Sequence, residues 1–234
     1  MKIPQQSTHR LDLWTQIINQ VSAKNIAEIG VWKGDFAASM LGKCPTIEKY
    51  YMVDPWAQLP DWNKPFNVSN KEFKAVYDEA LKKTGFASEK RLILKGKTKD
   101  VIGQIADSSL DFVYIDGDHT LRGITVDLIN ILPKVRNGGL IGGDDFTMSP
   151  WQHHAKFEPT LVCPFAVYFA EAMDLPIYAL PHQQFLIEKS ATGFHFHDPF
   201  GNYSNLGLNN FPTDTNNFFR RAKRILGNLF GFNP

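Results

Sequence analysis

Two short stretches concentrate the acidic side chains of this chain. "YIDGDHT" sets Asp116, Asp118 and His119 behind an apolar run, and "GGDDF" sets Asp144 and Asp145 behind another. Carboxylates gathered at neighbouring positions repel unless something positive sits among them, and oxygen-only ligands favour a hard divalent ion such as Mg²⁺. Asp116, Asp144 and Asp145 are therefore the expected metal ligands. An ion held there lowers the pKa of a bound hydroxyl and fixes its oxygen against an electrophile, with Asp116 at the reacting centre and His119 as the nearby base. The protonation of His119 is open at this level, because a helix N-terminus lowers a histidine pKa and adjacent carboxylates raise it. The same acids also have a plain reading as caps and turn residues, outweighed by how many fall together. The metal reading requires that they converge and that no lysine or arginine already neutralises them.

A second group lies upstream. In "IAEIGVWKG", Glu28, Gly30 and Gly34 form E-x-G-x-x-x-G, where missing side chains let a ligand approach the backbone and helix amides can meet an anion. The motif lacks the G-x-G-x-x-G of a nicotinamide site, and Glu28 suits a cationic amine better than a pyrophosphate. A tight turn with structural glycines is the alternative. Asp54 follows about twenty residues after Gly34, the position from which an acid accepts both hydroxyls of a ribose. In "GKTKDVI", Thr98 is expected as a helix N-cap with Lys99 in the first turn, and an adenine edge is within reach of both.

The elements that must position these groups alternate. "NIAEIG" (25–30), "KYYMVD" (49–54), "RLILKG" (91–96), "LDFVYID" (110–116) and "GGLIGGD" (138–144) are short, apolar and closed by glycine or a polar residue, as strands covered on both faces are. Helical spacings lie between them, preceded by an amphipathic helix through Leu11, Trp14, Ile18 and Val21 with Ser7 or Thr8 as cap. This alternation predicts an α/β, Rossmann-like, doubly wound sheet, mostly parallel, with helices on both faces. "PIYAL" and "QQFLIEK" add a last strand pair with a final antiparallel strand. Ligands in such sheets bind outside the carboxyl ends of the strands, which is where every acid named above falls.

Lys plus Arg number 25 against 24 Asp plus Glu, so no net field draws the chain to nucleic acid, and no nucleic-acid partner is expected. The first residues lack a signal-peptide core, no apolar run spans a bilayer, and Cys44 and Cys163 are the only cysteines. A cytoplasmic protein with no transmembrane segment is expected.

Taken in order, "AEIGVWKG", "VDPW", "GKTKDVI", "DFVYIDGDHT" and "GGLIGGDDF" resemble the class I S-adenosylmethionine-dependent methyltransferases. Within them the chain resembles the metal-dependent O-methyltransferases, typified by catechol O-methyltransferase and by sugar and antibiotic-tailoring relatives, over roughly residues 10 to 190. The resemblance implies that Glu28, Gly30 and Gly34 line the methionine portion of the cofactor, that Asp54 takes the ribose, and that Thr98 and Lys99 border the adenine. It places Asp116 beside cofactor and metal alike, with Asp144 and Asp145 as the other ligands. Catechol-type enzymes have asparagine at Asp145 and a lysine base at His119. A sugar-like or natural-product hydroxyl is accordingly the expected acceptor. The rival functions are a nicotinamide-dependent oxidoreductase and a non-catalytic S-adenosylmethionine-binding scaffold.

Aromatic residues Trp56, Trp62 and Phe66 follow the ribose acid in a proline-rich loop, and Trp151, His153 and His154 occupy the loop after "GGDDF". His195 and His197 have the i, i+2 spacing of a strand and no third ligand, so surface residues are expected there. The domain is expected to run over 1–190. Residues 191–234 form an extension ending in a basic amphipathic helix, suited to homo-oligomer or partner docking.

Overall fold

The computed structural model describes residues 4, 6–154, 156–201 and 203. The chain order is α1 (Arg10–Gln20), β1 (Asn25–Ile29), α2 (Asp35–Lys43), β2 (Lys49–Asp54), α3 (Asn70–Lys83), β3 (Arg91–Lys95) and α4 (Thr98–Val101). It continues with β4 (Leu110–Ile115), α5 (Leu121–Ile131), β5 (Val135–Gly143), α6 (Val162–Ala172), β6 (Ile177–Leu180), β7 (Gln184–Glu188) and β8 (Phe196–His197). One sheet holds all eight strands in the order β3-β2-β1-β4-β5-β7-β6-β8. β1 to β5 pair in parallel, and β7 runs antiparallel between β5 and β6.

Period-two burial explains why the sheet carries helices on both faces. Along β4, Phe112 and Tyr114 pack with Leu13, Trp14 and Ile17 of α1 and Phe36 of α2, while Val113 and Ile115 pack with Ile124 and Leu128 of α5 and Ala166 of α6. Alternate side chains point to opposite faces, so a strand that is apolar at every position needs a cover on each. The two glycines closing β5 have a packing reason. A Cβ on Gly142 would strike the Trp14 ring, and one on Gly143 would strike Phe185.

The chain winds outward from β1 through β2 to β3, then returns to lay β4 against the other side of β1. This reversal opens a crevice at the carboxyl ends of β1 and β4. Asp116 N donates to Ile29 O at 2.8 Å across it, and Gly30 at φ 83° lies so close that a Cβ there would enter the backbone of Asp116 and Gly117.

Local chemistry corrects two expected caps. His9, not Ser7 or Thr8, caps α1, its ring accepting from Asp12 N at 3.2 Å. Lys97 precedes α4, and Thr98 is the first residue inside it, 8% exposed with no capping bond of its own. The sheet continues beyond residue 190 through β8, which pairs with β6, and Tyr203 anchors its hydroxyl on Phe146 O at 2.6 Å. The expected basic helix falls in residues 204–234, outside the described residues.

Candidate active site

A cleft of about 590 Å³ runs along the carboxyl edge of the sheet and is lined by Glu28, Gly30, Asp54, Thr98, Lys99, Asp116, His119, Asp144 and Asp145 among others. At one end the turn after β1 bends around Asp54. Its Oδ2 accepts from Val31 N at 2.9 Å and Trp32 N at 3.0 Å, and its Oδ1 accepts from Trp56 N at 2.7 Å. A carboxylate has about four lone-pair sites, so this acid shapes the turn and keeps acceptor capacity toward the cleft. Burial raises the Asp54 pKa, and the three amides pull it back only partly. Gly34 starts α2 at φ 76°, in the left-handed region, and a Cβ there would stand 3.0 Å from the Ala80 backbone. Glu28 is 1% exposed and accepts from the Tyr50 hydroxyl at 2.7 Å. Burial holds its pKa well above the usual carboxylate range.

At the other end the four acidic and imidazole groups divide into two pairings. His119 lies between Asp145, which meets Nδ1, and Asp116, whose Oδ1 is 3.3 Å from Nε2. The Asp116 contact is ionic rather than a well-aligned hydrogen bond, so Nε2 is buried with no aligned partner. Burial alone would lower the histidine pKa, but the two carboxylates outweigh it and push it up to about 10. Burial opposes ionisation of Asp145 as well, and the imidazole overcomes this to bring it down to about 2. Asp116, His119 and Asp145 offer ligand atoms that all lie within 4.8 Å of one another.

Asp144 is used differently. Its Oδ2 meets the Arg10 guanidinium, which also reaches Asp116 Oδ2 at 2.9 Å, and its Oδ1 accepts from Gln184 Nε2 at 2.5 Å. Gln184 is fully buried, and its Oε1 accepts from Trp14 Nε1 at 2.8 Å and Tyr114 OH at 2.9 Å, which fixes the amide and therefore Asp144. The sequence expectation of three free carboxylates around one ion is thus changed in two respects. Asp116 and Asp145 converge with an imidazole instead of with Asp144, and an arginine already compensates Asp144 and Asp116.

Arg10 and Gln184 escaped the sequence reading. The signal for Arg10 was topological: a helix that precedes a parallel strand runs against it, so the first residue of α1 lies at the carboxyl edge. Gln184 carried no signal, since a glutamine opening a strand is unremarkable until the sheet order brings β7 beside β5.

Two loops cover the cleft. Trp62 of the loop after β2 donates Nε1 to Asp118 Oδ1 at 3.1 Å, Phe66 packs edge-on to Trp32, and Trp56 is buried with Nε1 on Trp32 O at 2.9 Å. From the loop after β5, His153 lines the cleft beside Phe66, whereas Trp151 lines a separate groove and His154 closes a local turn by accepting from Lys156 N. Asn63 Nδ2 donates to Lys156 O at 2.8 Å, and the buried Lys64 Nζ donates to Glu158 O at 2.8 Å and Thr160 Oγ1 at 3.3 Å, joining the two loops. His195 and His197 sit on β8, with His197 stacked on Tyr178, and no third ligand joins them among the described residues. Both cysteines are free and buried, and burial pushes their thiols up to about 11 at Cys44 and about 12 at Cys163. Among the described residues no helix is long and apolar enough to cross a membrane.

Solved structures share this arrangement at low identity, which speaks for the fold alone. Cofactor-bound Rv0187 from MTB superposes with a TM-score of 0.57 at 15% identity, covering 81% of this chain and 84% of its own. An O-methyltransferase from Bacillus cereus in complex with SAH gives 0.54 at 15%, covering 80% and 83%. The O-methyltransferase TomG from Streptomyces achromogenes, in complex with SAM, gives 0.53 at 13%, covering 75% and 77%. No curated protein sequence matches the chain. A family model described as a methyltransferase domain matches residues 27–146, the segment from β1 through the acids after β5. The chain belongs to this methyltransferase domain family.

Proposed function

We propose that this protein transfers the methyl group of S-adenosylmethionine to a hydroxyl oxygen of a small acceptor. The observation that carries the reading is the meeting of Asp116, His119 and Asp145 on one rim of a cleft whose other end is the glycine turn held by Asp54. Two known O-methyltransferases with this fold, TomG among them, support an oxygen acceptor. Family membership leaves the nicotinamide alternative without support.

The residues divide the work along the cleft. The backbone at Gly30 and Gly34 admits the methionine chain, with Glu28 beneath it, and Asp54 offers its remaining lone pairs to the ribose hydroxyls. Trp62, Phe66 and His153 provide flat apolar faces at the acceptor end, which suit a sugar-like or natural-product ring. The cleft volume suits a cofactor with a small acceptor rather than a polymer.

Asp116, His119 and Asp145 carry donor atoms suited to a divalent ion, which would have to displace the Arg10 guanidinium from Asp116 and the proton from His119. Two carboxylates and an imidazole favour Mn²⁺, Fe²⁺ or Zn²⁺ over the oxygen-loving Mg²⁺. Such an ion supplies Lewis acidity that lowers the pKa of an acceptor hydroxyl. Without it, His119 is held as an imidazolium by Asp145 at Nδ1 and Asp116 near Nε2, and it would serve as base for the acceptor proton only after releasing its own; the imidazole holds one role at a time. Arg10 keeps Asp144 from the ion and steadies the rim.

The test is methyl transfer to a panel of small hydroxyl compounds, with chelator or with added Mn²⁺ or Mg²⁺. Asp145→Asn is expected to slow turnover by about 10² or more while leaving S-adenosylhomocysteine affinity within about threefold. A variant that keeps the wild-type rate refutes the assignment. Binding of S-adenosylhomocysteine without transfer to any acceptor favours the scaffold function.

A further inference from the structure

A second cavity, of about 540 Å³, continues the carboxyl edge of the sheet beyond β5. The hairpin of β6 and β7 brings its wall there. Gly143 at the tip of β5 pairs with Phe185 and Leu180 pairs with Gln184, so the turn Pro181–Gln183 stands beside the acids that follow β5. Gln152 lines this groove and the main cleft alike, and its Nε2 donates to Asp145 Oδ1 at 2.8 Å. A single amide side chain is therefore shared between the groove and the acid rim.

The groove differs from the cleft in its chemistry. Charged side chains line the cleft at many positions, whereas no aspartate, glutamate, lysine or arginine lines the groove among the described residues. Leu180 and Tyr203 are buried in its wall, and Met148 and Phe200 stand about half exposed beside them. Large apolar side chains left open next to buried ones form a surface that gains by being covered. Trp151 also lines the groove, and its Nε1 is buried with no hydrogen-bond partner among the described residues. Buried donors left unanswered cost stability, and a bound ligand is one means of completing them. An uncharged, flat, apolar group fits such walls; a charged one would lose its water there and meet no counter-ion.

The molecule able to reach both cavities is the acceptor, and this step rests on the proposal that the acid rim receives its hydroxyl. A hydroxyl held at Asp116, His119 and Asp145 stands one glutamine side chain from the groove, so a substituent on the same ring extends past Gln152 into it. We propose that the groove is a second acceptor subsite, which takes an uncharged aromatic substituent of the ring that carries the reacting hydroxyl. The substrate is then a two-part molecule, an aryl glycoside in place of a bare sugar. Phe200, Met148 and Trp151 meet the aromatic part. Gln152, bonded to Asp145, sets the register between the two parts.

Matched methyl, phenyl and 4-carboxyphenyl glycosides of several common sugars test this, by calorimetry with S-adenosylhomocysteine saturating and by initial rates with S-adenosylmethionine. The phenyl member is expected to bind at least about tenfold more tightly than the methyl member, from the apolar area its ring removes from water, and the carboxyphenyl member to lose most of that gain. Phe200→Asp and Met148→Asp change exposed side chains that do not line the cleft. Each is expected to bring the phenyl preference to within about twofold while affinity for the methyl glycoside and Tm hold. Equal binding of the phenyl and methyl members overturns the proposal, as does a carboxyphenyl member bound as tightly as the phenyl one, or folded variants that both keep the preference. Binding of none of these glycosides overturns the two-part acceptor as well. A phenyl preference in binding without transfer to any glycoside overturns the methyl-transfer reading and keeps the groove as an aromatic subsite; transfer to methyl and phenyl members with equal efficiency overturns the groove and keeps that reading.

Discussion

Asp127→Asn removes the charge of a buried acid while keeping its shape, and the consequence is a change in how stability depends on pH. In the folded chain Asp127 titrates at about 7, against an ordinary value of 3.8. The cause is burial first; Thr98 and the imidazole of His119 favour the anion, and Asp118 opposes it. Because the folded pKa is raised, the folded state holds this proton over a range where the unfolded chain has released it. Stability contributed by the protonated form is fully present below about pH 4 and is lost as pH rises through about 7. A shift of about three units corresponds to a ceiling of about 4 kcal/mol, since one unit is about 1.4 kcal/mol. Urea unfolding at pH 4.5, 6 and 8 measures it for both proteins. Glu28, also raised by burial, titrates in both and drops out of the difference. The stability of the variant relative to wild type is expected to rise from pH 4.5 to pH 8, by about 2 kcal/mol or more after relaxation of the site. A difference that stays flat, or that falls with pH, refutes the claim that burial outweighs Thr98 and His119 at Asp127.

Two further perturbations probe the frame around the cleft. Arg10→Met takes a cation from between Asp116 and Asp144, and Mn²⁺ affinity measured by calorimetry is expected to rise about tenfold; an unchanged affinity means that Arg10 does not compete for the carboxylates. Gly30→Ala forces a Cβ into the Asp116 backbone at a positive φ, and denaturant unfolding is expected to show a loss of about 3 kcal/mol or more; a loss below about 1 kcal/mol contradicts the close approach of β1 and β4.

The strands were legible in the sequence because each is short, apolar on both faces and ended by glycine or acid. The expected runs 25–30, 49–54, 91–96 and 110–116 agree with β1 to β4 within a residue at each end. β5 begins three residues before its apolar run, because Val135 already pairs with Leu110 although Arg136 and Asn137 beside it are exposed. The placement of the candidate residues at strand tips was legible for the same reason: sheet topology fixes the tips. What a sequence does not contain is which charge answers which. Asp144 and Asp145 are neighbours in the chain, yet Asp144 accepts from a glutamine on β7 and an arginine on α1, while Asp145 meets a histidine from the loop after β4. Positive φ at Asp145, 57°, turns the chain between the two carboxylates, and nothing in "GGDDF" announces it. Thr98 was misplaced by one position, since a threonine followed by a helical run is a cap by propensity, and its burial became visible only with α5 in place.

The ties from Asn63 and Lys64 to the opposite loop make the roof of the cleft a single plate instead of two independent flaps. Burial disfavours the charge of this ammonium, and its bonds to Glu158 O and Thr160 Oγ1 offset that cost only while the two loops stay together. Parting the two loops would break both bonds of this lysine at once, so a displacement of either loop is opposed by the other.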